Sequence, residues 1–491
     1  MGAALAALLS VLTIAVNGYH PFAEDGGIYL AGIKHLLNPT LYPFWTGFVT
    51  AHLRFSLFAP AVVAMAHVTS LPLMTVMLLL HLATVWLTLF AAWLLTVRCF
   101  AGTAARCGAV TLLACWIDLP VAGTSLMLMD PYVSARSLST PCSLFALVGM
   151  MDTITHTGSA RRNGLALCGA ALLLAAATHP LMGGYAAACV VLLACVSAPR
   201  HRKLATTCWC VAAFALATCV HLLSPANTAA YAQVALTRSY WFLAQWQLYE
   251  LFGIVAPLLI LWYFARTCSR ATVSLARAAG IAGITAVVIA LVYARMSAPT
   301  YLVARLQPLR ILQTVYIVMI LCLGAALGER VLQRHALRWL IFVPLAMVMF
   351  VVQRQTFPGS NHLELPGLTP RNQWRQGFEW IRDHVPANEA FAVDANYVTI
   401  PGEDAQNFRA IAEHSAMPDY SKDGGIAAIA PDLAVAWQQG QINLTNATDA
   451  QRIAALRNTP VSWIVLPRSV GTSLQCVCRN AAMQVCRLPE R

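Results

Sequence analysis

At 491 residues the chain is long enough for more than one domain, and with 59% hydrophobic but only 11% charged residues it lies far from the roughly 25% charge of soluble domains. The formal net charge of +12 is unevenly placed: residues 1–355 hold 7 acids against 21 Lys and Arg, whereas 356–491 hold 13 acids against 11. Basic residues set in short connections between apolar runs exclude a contiguous nucleic-acid surface and fit an integral membrane protein.

The apolar runs predict about eleven membrane helices, at 2–17, 71–97, 107–121, 138–151, 164–178, 184–198, 205–223, 247–265, 279–295, 309–327 and 339–353. No Lys or Arg precedes Lys34, so 2–17 reads as a retained first helix instead of a signal peptide with a basic leader. The connections 98–106, 152–163, 199–204, 266–278 and 328–338 carry most of the arginine of residues 1–355, with only Asp152 and Glu329 opposing it. The positive-inside rule makes these five cytoplasmic. All fall on one side if 57–69 is an interfacial helix and if His179-Pro180, with Gly183-Gly184, breaks 164–198 into two spans. Loops 18–70, 122–137, 179–183, 224–246 and 296–308 then share the outer side with the C-terminal domain.

Loop 18–70 contains the densest set of candidate functional residues. Glu24 and Asp25 could bind a divalent cation such as Mg or Mn, or one could act as a general base while the other orients it. Adjacent residues do not project together, so unequal roles are expected. Gly26 and Gly27 would let a substrate approach the backbone; alternatively the acids cap a helix from Ile28 to Leu37. Lys34, His35 and Arg54 follow as candidate substrate contacts. In loop 122–137, Asp130 and Arg136 form either a structural ion pair or a phosphate site in which Asp130 fixes Arg136 or joins Asp25 as a cation ligand. His179 is a further candidate, or a helix cap. In loop 224–246, Arg238 stands among Tyr231, Tyr240 and Trp241, residues that also serve as interfacial anchors. Arg305 and Arg310 lie on the outer side against the charge rule and call for an anionic group.

From Phe357-Pro358-Gly359 the sequence turns polar. Helices are expected at 371–384, 405–417, 426–439 and 448–458, with strands at 391–394 and 461–466, which makes 356–491 an α/β layer domain. Cys486 is expected to pair with Cys476 or Cys478.

The run His20-Pro21-Phe22-Ala23-Glu24-Asp25-Gly26-Gly27-Ile28-Tyr29, together with Arg136-Ser137-Leu138-Ser139-Thr140-Pro141, His179-Pro180-Leu181-Met182 and Pro401-Gly402-Glu403-Asp404, resembles a group of bacterial multi-pass membrane proteins over nearly the full length. More loosely, the layout is similar to the GT-C superfamily of membrane glycosyltransferases, which carry a key acid in the first outer loop next to interfacial helices. The resemblance implies a polytopic α-helical membrane domain over 1–355 with an extracytoplasmic α/β domain at 356–491, in a bacterial inner membrane. It implies transfer of a sugar from a polyprenyl-phosphate donor to a glycan, lipid or protein acceptor, with membrane lipids but no nucleic acid as further partners. Asp25 or Glu24 would take the catalytic position, and Glu24, Asp25 and Asp130 the metal positions. A solute or lipid transporter and a noncatalytic membrane assembly protein are the competing expectations.

Overall fold

The computed structural model describes residues 1–198 and 200–489; the chain is mostly helical as far as Thr356, and strands follow only after it. Helix α1 (Gly2–Asn17) leads through a tight turn at Gly18 to α2 (Glu24–Leu37), then to Thr46–Phe55 and α3 (Phe58–Thr69), which meet at 94°. After α3 come α4 (Leu73–Cys99), α5 (Thr103–Cys115), α6 (Ala135–Thr155), α7 (Gly158–Thr178), α8 (Pro180–Ser197) and α9 (Arg202–Leu223). The membrane part closes with α10 (Leu248–Thr267), α11 (Arg270–Tyr293), the composite α12 (Leu302–Leu332) and α13 (Ala336–Thr356).

Helices form at all eleven apolar runs, but not every one is long and apolar enough to count as a span by itself. Among the described residues eight helices, α4, α6 and α8 to α13, are long and apolar enough to cross a bilayer, or nine if the bent pair is one span. Helices α1 and α5 have only 16 and 13 residues, and α7 carries Arg161, Arg162 and Asn163 near its start, which dilute its apolar character. Helix α12 is the centre of the bundle, with 83% of its apolar window buried, while α9 at 6% lies at the periphery. Small residues permit the closest crossings: a Cβ on Gly108 would stand 2.5 Å from the Gly324 carbonyl oxygen, and one on Gly149 2.5 Å from that of Gly164.

Two opposite faces emerge from the contacts. On one, Arg98 binds Asp152 through two hydrogen bonds, and Ser269 and Thr272 donate to the Cys99 carbonyl, which gathers three of the arginine-rich connections. On the other, the His20 amide donates to Pro131, the Leu57 amide to Ala177, and the Asn227 amide to Pro299. The loops expected to lie together therefore do so. The break at His179-Pro180 is real: α7 ends at Thr178 and Pro180 opens α8, where its missing N–H costs nothing.

The C-terminal part rests on that second face. Its five-stranded mixed sheet has the order β2 (Ser415–Ala416), β1 (Ala390–Val393), β3 (Val461–Pro467), β5 (Met483–Arg487), β4 (Gln475–Arg479), parallel across β2, β1 and β3 and antiparallel across β3, β5 and β4. The expected helices at 371–384 and 448–458 form as α14 (Gln373–His384) and α16 (Asp449–Leu456), the first capped by the Asn372 side chain. The other two expectations are corrected. Only Phe408–Ala412 is helical within 405–417, and 426–439 splits because α15 (Lys422–Ile429) ends before Pro431, which cannot continue its hydrogen-bond ladder. Strands β2, β4 and β5 were not expected. Cys476 is disulfide-bonded to Cys486 across the β4–β5 pair, and Cys478 is free.

Candidate functional site

The N-terminus of α2 is built against the C-terminal part. Ala23 bridges Gln406, and the Glu24 amide donates to the Ala405 carbonyl at 3.0 Å. Glu24, Asp404 and Ala405 all have left-handed backbone, with φ of 53°, 64° and 52°. Three non-glycine residues in that region at one contact represent stored strain, a pattern that clusters at functional sites. The helix begins at Glu24, four residues before the expected Ile28, so both acids sit in its first turn, where the helix dipole favours them. The expectation that Gly26 and Gly27 admit a substrate is corrected. A Cβ on Gly27 would lie 2.1 Å from Asn407 Cβ, and one on Gly26 2.9 Å from the Tyr132 ring, so protein fills both places.

Adjacent acids point apart, as their helical positions require. Glu24 pairs with Lys422 of α15. Burial pushes the Lys422 ammonium down to about 8, and the Glu24 carboxylate is the acid in contact with it. Asp25 instead faces Arg136, whose Nη1 is 3.9 Å away, while Arg136 Nη2 donates to Asp130 at 2.5 Å. The Asp25 side chain is 42% exposed, whereas those of Asp130 and Arg136 are 5% and 6% exposed. Burial pushes the Asp130 carboxyl up, and Arg136 pulls it back. Arg136 reaches this place because the Ser134–Ser137 capping box starts α6 beside the Asp130 loop.

Arg310 completes the cluster. It lies within electrostatic reach of Arg136, Asp25, Tyr240 and Tyr185, follows the turn at Pro308, and forms no ion pair among the described residues. The Nε atoms of Arg136 and Arg310 are both buried without a hydrogen-bond partner. Buried guanidinium donors left unpaired are costly, and an anionic acceptor would relieve that cost. His179 is near enough to feel both arginines, but its Nδ1 caps α8 by accepting from the Met182 amide. Tyr29, one turn after Asp25, is held protonated, its hydroxyl pushed up to about 12 by burial and Asp25.

The remaining candidates lie elsewhere, for identifiable reasons. Lys34 binds Glu413 and the Ala410 carbonyl at 2.6 and 2.7 Å, His35 faces the Leu41 carbonyl, and Arg54 meets Asp432 at 3.7 Å with both side chains exposed. Arg238 donates to the Ser421 and Tyr420 carbonyls, and Arg305 reaches the Tyr231 hydroxyl. Lys34, Arg54 and Arg238 fasten the C-terminal part to the outer loops, a use that first-loop charge could not reveal, whereas His35 and Arg305 bind within the outer loops themselves. Lys422 and Tyr29 were missed. Lys422 is the only lysine after residue 203, which is the one signal it offered.

The proposed metal ligands do not gather as a set of three. Glu24 is turned onto Lys422, and Arg136 is shared by Asp25 and Asp130. Such a donor set suits a guanidinium-bound oxyanion better than a cation held by all three carboxylates. No protein-family model matches the chain, and a search of curated proteins gives no match either.

Proposed function

We propose that the chain is a membrane glycosyltransferase that moves a sugar from a polyprenyl-phosphate donor to an acceptor on the extracytoplasmic face of a bacterial inner membrane. The observation that carries this is a half-exposed carboxylate, Asp25, beside two buried arginines, Arg136 and Arg310, that retain unpaired Nε donors. A hydroxyl of a glycan, lipid or protein acceptor attacks the anomeric carbon as the bond from that carbon to the phosphate oxygen breaks. Asp25 takes the hydroxyl proton. Arg136 and Arg310 receive the charge that builds on the departing phosphate, which is where preorganised donors lower a barrier most. Asp130 holds Arg136 in place, and Glu24 with Lys422 anchors the C-terminal part over the site. The guanidinium pair supplies positive charge at the departing phosphate.

The test uses the purified full-length protein in lipid with a panel of polyprenyl-phosphate sugars, scoring transfer or donor hydrolysis. Loss of a general base costs typically 10²- to 10⁴-fold, so Asp25→Asn should fall by that much, and Arg310→Gln should also weaken donor binding. A folded parent protein that consumes no polyprenyl-linked sugar, or an Asp25→Asn variant at the parent rate, would refute the assignment.

A further inference from the structure

On the face opposite the C-terminal part, a groove of about 410 Å³ opens between α10 and α12. Leu259, Tyr263 and Phe264 of α10 form one wall, and Leu323 and Ala326 of α12 form the floor. The floor is unusual because α12 is otherwise the most enclosed helix of the bundle; here it faces outward. Apart from the Tyr263 hydroxyl, the polar side chain on the groove is Arg330, in the π-turn Gly328–Leu332 that ends α12. Its guanidinium lies beside that hydroxyl, at the mouth.

Charge at the rim is one-sided. The connections 266–278 and 328–338 carry six arginines and one acid, Glu329. Among the described residues none of those six forms an ion pair. Arg266 is stacked 3.7 Å over the Trp262 ring, which leaves its edge donors free while it stays at the interface. An apolar slot within the bilayer with uncompensated guanidinium at its headgroup end matches one occupant in both halves: a lipid with an anionic head.

We propose that this groove binds an anionic phospholipid, one acyl chain lying along α12 and the headgroup phosphate paired with Arg330. The site is independent of the transferase reading, since it lies on the other face and shares no residue with Asp25, Arg136 or Arg310. Basic residues at a membrane surface contribute about 1 kcal/mol each toward anionic lipid, or about 5-fold in affinity. Native mass spectrometry of the full-length protein, titrated with phosphatidylglycerol or phosphatidylethanolamine, reads this directly. The parent should retain phosphatidylglycerol preferentially; Arg330→Gln should lose about 5-fold of that affinity and a smaller share of its affinity for phosphatidylethanolamine, whose ammonium offsets the charge of its phosphate. Ala326→Trp, which fills the floor, should weaken both lipids. If that variant does not fold, Leu259→Trp on the lipid-facing wall replaces it. Glycerol phosphate without acyl chains should not displace the bound lipid. Unchanged phosphatidylglycerol binding in Arg330→Gln, an equal loss of both lipids in that variant, or displacement by glycerol phosphate would overturn the proposal.

Discussion

Asp25 and Asp130 share one arginine but should fail in opposite ways when neutralised. Asp130 is 5% exposed and in direct contact with Arg136, itself 6% exposed. Asp130→Asn leaves a buried guanidinium with only a distant, hydrated carboxylate for company. Removing one partner of a buried pair costs about 3–5 kcal/mol; asparagine keeps an acceptor oxygen, so the lower end applies. Asp25 is 42% exposed and 3.9 Å from the same guanidinium, where solvent screens the attraction. Asp25→Asn should cost no more than about 1 kcal/mol. Unfolding of the two full-length variants in the same mixed micelles, followed by the transfer assay, separates them. Asp25→Asn should be folded and inactive, while Asp130→Asn should be destabilised by at least about 2 kcal/mol more. Equal destabilisation would show that Asp25 is a structural anchor and would remove the basis for calling it the base.

Three other outcomes follow from packing and charge. Gly27→Ala forces a methyl into Asn407 and should cost about 1–3 kcal/mol and speed proteolysis of the C-terminal part. Gly425→Ala, with only Arg238 Nη1 at 3.8 Å, should be neutral or stabilising by up to about 1 kcal/mol; the reverse order would refute the packing account. In the C-terminal part, burial and then the Asp423 carboxylate push the Asp419 carboxyl well up. Above pH of about 4, where an unfolded Asp ionises, the unfolded state releases a proton that the folded state keeps. Stability therefore declines as pH rises toward neutrality, and Asp419→Asn should flatten that decline in denaturation curves between pH 4 and 8; an identical slope in both proteins would contradict it. Finally, the Cys476–Cys486 bridge closes a loop of sequence separation 10, worth about 3 kcal/mol in the chain-entropy account. Reduction of the parent should match Cys476→Ala in unfolding midpoint, and a further loss on reducing that variant would implicate other thiols.

Much of the membrane part was legible because hydrophobic runs are local. All eleven became helices, and the break at His179-Pro180 followed from a missing amide hydrogen. Length was less legible: Arg136 lies two residues before the apolar run 138–151, yet it is inside α6 because Ser134 caps the helix earlier. Strand β2 has two residues and β4 alternates weakly, so neither carries a periodic signal; both exist because β1 and β5 offer them partners. Within the site, the gathering of Asp25, Asp130, Arg136 and Arg310 on one outer face was readable from sign and position. The fastening roles of Lys34 and Arg238 were not, since their partners Glu413 and Ser421 lie 379 and 183 residues away.

By itself the sequence determined that the chain lives in a membrane, which connections are basic, and that a polar part begins near residue 356, because each depends on the solvent preference of contiguous residues. Only the tertiary structure decided which partner each carboxylate meets. Glu24 and Asp25 are neighbours with similar chemistry, but successive helical positions diverge by about 100°, and the groups waiting on each side are different. Lys422 occupies the one, and the Asp130–Arg136 pair orients the other.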